Sequence, residues 1–163
     1  MSEGRFFRYE LRTRDPDAAR VFYAEVLDTE FWNSDSVSAS LLPERAVAAG
    51  APPHWLGHIG VRDVAGTVDR IIALGGARLG PRQSAAGDSA QAVLRDLSGA
   101  VLALGSDTVS SRPSPVTWHL HHSQDHQVSF AWYGGLFGWL LVIWSIWDRR
   151  QGRCSLGMNP ERR

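Results

Sequence analysis

The chain has 163 residues, 44% of them hydrophobic, enough to bury one sizeable core and to predict one complete domain with part of another. Its 17 basic and 17 acidic residues cancel, and no stretch gathers the positive excess that a nucleic-acid surface requires, so no nucleic-acid partner is expected. Every residue in that basic count is Arg, which excludes lysine amine chemistry, and the single Cys154 can form neither an internal disulfide nor a thiolate metal cage.

The N-terminal stretch MSEGRFFRYELRTR is charged throughout and lacks the apolar core of a signal peptide, which together with the lone cysteine predicts a cytoplasmic protein. A strand is expected from Phe6 to Arg12, followed by Asp15 as a helix cap, Pro16 at the first helical position, and Phe22 and Val26 on one helical face. Short strands are then expected near Glu30 to Trp32, from Val37 to Leu42, and from Ala46 to Ala49, with a turn at Pro43 to Arg45. Ala51-Pro52-Pro53 reads as a stiff linker.

The most legible stretch comes next. An alternating run from Trp55 to Val61 predicts a strand, Asp63 a cap, Val64, Val68, Ile71 and Ile72 the buried stripe of a helix, and Gly75-Gly76 its stop. Strands follow near Ala77 to Leu79, Gln91 to Arg95 and Val101 to Leu104, with a Gly/Pro/Ser-rich loop from Gly80 to Ser89 and a turn at Asp96 to Gly99. A third strand-helix start, WHLHHSQDHQVSFAWYGGLFGW, places Trp118 relative to Asp125 as Arg8 stands to Asp15. The uncharged run from Val128 to Trp147 has the length of a bilayer span; the repeat instead predicts a helix and a buried strand, broken at Gly134, Gly135 and Gly138, and a membrane role is not expected.

The predicted class is therefore α+β, with two βαβββ units across residues 5–105 pairing into one curved sheet, helices outside and a ligand cleft inside, plus a partial third unit. The expected divisions are a complete domain at 1–107, a linker at 108–115 and the start of a second domain at 116–163, whose tail does not look like the missing strands. An apolar tail on a lone strand-helix unit leaves surface to cover, which predicts a homodimer.

In RYELRTRDPDAARVFYAEVL, PPHWLGHIGVRDVAGTVDRIIALGGA and AVLRDLSGAVLAL the sequence resembles the vicinal oxygen chelate (VOC) superfamily, which includes glyoxalase I, bleomycin- and fosfomycin-resistance proteins and extradiol dioxygenases. The resemblance covers residues 5–105 and again 116–139, and is closest to tandem two-domain members. It implies a divalent metal held by donors on the first strand of each unit and on a last strand. Those positions fall at Arg8, which has no lone pair to give, at His54, which could bind, and at Ala103, with a fourth near Ala48 or Ala49.

One ligand of four predicts that the usual metal site is lost and that no cofactor is needed. Strand parity places Arg8, Glu10 and Arg12 on one face with His54, Leu56 and His58, unless a bulge at Gly57 flips the register. These residues suit an anionic or hydrogen-bonding small molecule, with Glu10 or His58 as candidate general base. The expected function is thus sequestration of a small molecule, as in bleomycin resistance. A metal-dependent lyase or dioxygenase using His54 and Glu10, and a degenerate interaction module, are the alternatives. His119, His121 and His122 alternate in facing and read as drift of the third unit from its pattern.

Overall fold

The structure is a computed structural model, describing residues 4–27, 29–32, 34–80, 83–84, 90–106, 116, 119–139, 146–148 and 153–157. The predicted linker at 108–115 lies outside the described residues, and so does most of the tail.

Three aspartates set the helix starts, as their spacing predicts. Asp15 accepts from the Ala18 amide before α1 (Pro16–Val26), Asp63 from Gly66 before α4 (Val64–Ala73), and Asp125 from Gln127 and Val128 before α5 (His126–Phe137). The last two helices stop where Gly75 (φ 88°) and Gly138 (φ 73°) take the left-handed conformation.

The principal sheet is mixed and runs β2-β1-β3-β7-β6-β4, from β1 (Arg5–Thr13), β2 (Val37–Leu41), β3 (His54–Val61), β4 (Ala77–Arg78), β6 (Ala90–Arg95) and β7 (Val101–Ser106). A short β5 (Gln83–Ser84) pairs with β6 inside the predicted loop. β1 and β3 are antiparallel neighbours, and each has a later strand running parallel beside it, β2 beside β1 and β7 beside β3.

Two predicted strands are helices instead. Thr29–Trp32 forms α2 and Glu44–Ala48 forms α3, so the first half contributes only two strands to the sheet. Glu, Arg and Ala have strong helix propensity, and in so short a segment it outweighs an apparent alternation.

One face of the sheet carries the core. Ile59 and Val61, Leu102 and Leu104, and Ala92 and Leu94 pack against Val64, Val68 and Ile71 of α4 and Trp132, Tyr133, Leu136 and Phe137 of α5. The third unit's helix is therefore a layer of this core. Arg70 donates to the Gly135 carbonyl at 2.7 Å, Trp132 Nε1–H to the Leu74 carbonyl at 3.1 Å, and the Gly4 amide to the Phe137 carbonyl at 3.0 Å.

Gly134 and Gly135 lie inside α5 and do not break it, and no helix among the described residues is long and apolar enough to cross a membrane. Of the predicted tail, β9 (Ile146–Asp148) and β10 (Arg153–Gly157) do supply strands, forming a small second sheet with β8 (Leu120–His121). Three positions predicted on buried helical faces turn outward. Ile72 is 46% exposed, and α1 buries no residue, leaving Phe22 57% and Val26 59% exposed.

Candidate functional site

Alternation along β1 sends Tyr9 and Leu11 to the helix side and Arg8, Glu10 and Arg12 to the opposite side. The strand is irregular at Phe7, between the Phe6–Ile59 and Arg8–His58 pairs, and not at Gly57. Such a bulge puts two consecutive side chains on the same face. Phe7 accordingly joins Arg8, its ring lying over Gly105, where a Cβ would come within 2.8 Å of it.

The register that follows brings four of the five predicted site residues together. Arg8 sits directly across from His58, Glu10 from Leu56 and Arg12 from His54, while β2 adds Ser38 beside Glu10 and Ser40 beside Arg12. Glu10 is the centre. Its Oε1 accepts from Ser40 Oγ–H at 2.6 Å, and its Oε2 accepts from Arg12 Nε–H at 3.2 Å and from His58 Nε2–H at 3.3 Å, with Arg12 Nη2 at 3.1 Å. Arg8 donates through Nη2 to Ser38 at 3.1 Å. The two serines were not anticipated; they are legible only once β2 is known to run parallel beside β1.

His54 stays apart. Its Nδ1–H donates to the Pro52 carbonyl at 2.8 Å at the strand's start, and Glu10 turns toward His58. The residue in one cross-strand row with Arg8 and Ala103 is His58. A divalent ion would need donors that this row lacks: a guanidinium, a methyl group and one imidazole. Among the described residues no group of three His, Cys, Asp or Glu converges on a point where an ion could be held. The donors present among the described residues do not fit a metal centre of the vicinal oxygen chelate kind.

Burial alone would raise the Glu10 pKa, but the hydrogen bonds from His58 and Ser40 and the charge of Arg12 bring it down to about 2. At neutral pH Glu10 is a fixed negative charge, too weak a base to abstract protons efficiently. Glu10 and two arginines leave the cluster with one guanidinium in excess, an arrangement that favours an anion.

The folded value lies below the unfolded one, so its contribution to stability is present above the unfolded pKa and lost as pH falls. The expected loss is about 3 kcal/mol between pH about 4.5 and about 2. Urea unfolding midpoints followed against pH check this; in Glu10→Gln that part of the acid limb should disappear, and an unchanged limb would contradict the coupling.

The other histidines are placed by packing. His119 stacks on Phe6 with ring centroids 4.1 Å apart and hydrogen-bonds the Tyr9 hydroxyl, and burial lowers its pKa. His121 meets the Tyr133 ring edge-on at 5.2 Å, in keeping with its alignment to the core position Leu11, while His122 is exposed.

Compared with known proteins, the chain matches no protein-family model and no curated sequence.

Proposed function

We propose that this chain is a VOC-type binding protein that holds an anionic small molecule against the Arg8–Glu10–Arg12–His58 cluster and does so without the superfamily's usual metal. The fold part of the reading is supported by the order of the second half, strand, helix and returning strands with the last one parallel beside the first, and by the pairing of β1 with β3 that joins the halves. The observation that carries the binding part is the Arg8 guanidinium. It makes one hydrogen bond, to Ser38, among the described residues, and stands in register with the buried His58 while the single carboxylate nearby is engaged by Arg12, Ser40 and His58.

A guanidinium has five N–H donors, so four of those on Arg8 have no partner among the described residues and suit a ligand carboxylate or phosphate or water. Arg12 is committed to Glu10 and supplies field rather than direct contact. Inorganic phosphate and benzoate are suitable probes. Both should raise the melting temperature, and Arg8→Ala should weaken binding by about tenfold, the loss of one charge-assisted contact worth about 1.4 kcal/mol. A chelator should change nothing. The reading fails if neither anion binds, if Arg8→Ala binds as the parent does, or if the purified protein retains stoichiometric metal that His54→Ala loses.

A further inference from the structure

The Glu10–His58 pair carries a chemistry that simple retention of a ligand leaves unused. His58 is 2% exposed, and its ring is fixed on one side by Glu10 and met edge-on by Phe7 at 6.2 Å. An ionised carboxylate only accepts, so the Nε2 position carries the proton, and in the neutral ring the lone pair sits on Nδ1. That Nδ1 is shielded from solvent and has no hydrogen-bond partner among the described residues. A buried polar atom left without a partner calls for an explanation. Arg8, which stands in register with His58 on the neighbouring strand, makes one hydrogen bond among the described residues, to Ser38.

We propose that His58 Nδ1 is a proton acceptor, taking the proton of a weakly acidic hydroxyl of the phenol or enol class on a ligand held against the cluster, while Arg8 pairs with the oxyanion that results. The proposal rests on the binding reading above and adds a reaction to it. The ligand's O–H bond breaks with its electron pair left on oxygen, an N–H bond forms at Nδ1, and the imidazolium so made is neutralised by Glu10. Return of the proton reverses the step, and neither an oxidant nor a metal takes part. The carboxylate fixes the tautomer and steadies the imidazolium, an arrangement known to raise the effectiveness of a histidine base.

The charged groups around the ring come from β1: Glu10 in contact, Arg8 directly across, and Arg12 behind Glu10. β7 contributes Ala103 opposite, which bears no charge, and β2 contributes the Ser40 hydroxyl on Glu10. Glu10, whose two oxygens accept from Ser40, Arg12 and His58, is not the proton acceptor of the pair, which leaves the unpartnered Nδ1 of His58 for that role.

The test uses 4-nitrophenol, whose phenolate absorbs at longer wavelength than the phenol. The full chain is added at a pH one unit below the midpoint of the free probe. A saturable rise in the phenolate band is expected, together with convergence of the two ¹⁵N ring signals of His58 to imidazolium positions; His58→Gln should lose the phenolate band. The ¹⁵N measurement on the unsubstituted chain decides the matter even if the variant fails to fold. If inorganic phosphate binds but 4-nitrophenol is held as the neutral phenol, or is not held, the proposal is overturned and the binding reading stands. If neither probe binds, both are overturned.

Discussion

Phe137→Ala should lower the free energy of unfolding by about 4 kcal/mol, the cost of removing a large, fully buried ring and leaving a cavity behind. Phe137 is 0% exposed and sits where α5 meets the start of β1. A Cβ on Gly4 would fall 2.6 Å from its ring, and the Trp139 ring lies 5.3 Å away, with Trp139 Nε1–H donating to the Gly4 carbonyl at 2.6 Å. Urea unfolding followed by tryptophan fluorescence measures the effect. A loss of under about 1.5 kcal/mol, the scale of a tolerated hydrophobic swap, would mean that α5 does not share the core of the sheet.

Asp96→Ala carries the second large effect, about 3 kcal/mol, because it removes the acceptor of three hydrogen bonds at once, one of them from the buried Tyr133 hydroxyl. Asp96 is 3% exposed, its Oδ1 accepts from the Ser98 and Ala100 amides at 2.8 Å each, and its Oδ2 accepts from the Tyr133 hydroxyl at 2.9 Å. Burial, and then the charge of Asp96 and its hydrogen bond, push the Tyr133 phenol far above its ordinary value, so it remains a donor at any pH where the protein is folded. Tyr133→Phe removes one of the three bonds and should cost about 1 kcal/mol. A double-mutant cycle by thermal or urea unfolding separates the turn from the helix contact; equal losses in the two single variants would show that the turn bonds contribute nothing.

The features that sequence made legible are those fixed by near neighbours. The caps at Asp15, Asp63 and Asp125 each need only an amide two or three residues on, and all three form. The period of two along β1 and β3 is equally local, which is why Arg8, Glu10, Arg12 and His58 could be assigned to one face before any strand pairing was known. What period two does not supply is which residues stand opposite, since that depends on the bulge at Phe7 and on the pairing register; the resemblance puts its ligand positions at Arg8, His54 and Ala103, whereas the residue in register with Arg8 and Ala103 is His58.

The positions misjudged as buried have a non-local cause. Phe22 and Val26 form an apolar face on α1, but α5, more than a hundred residues later, packs with α4 over Ile59 and Phe6, and α1 lies beside β1, β2 and α2 with that face toward solvent. The two helices at Thr29–Trp32 and Glu44–Ala48 are a further lesson: with so few residues in each segment, alternation and helical period are indistinguishable, and the strands expected there do not form.

The clasp between Gly4 and the Phe137–Trp139 segment also has a consequence for how the chain emerges during synthesis. The first strand is made early, and the rest of the principal sheet, through β7, is complete once residue 106 has left the ribosome. The apolar row Ile59, Val61, Leu102 and Leu104 then has α4 over it but lacks α5, whose Trp132, Leu136 and Phe137 finish the layer. At about 5–20 residues per second, the remaining length takes seconds to appear. For that interval a folded sheet exposes an unfinished apolar face, a target for holdase chaperones, and premature termination after β7 would leave the exposure permanent.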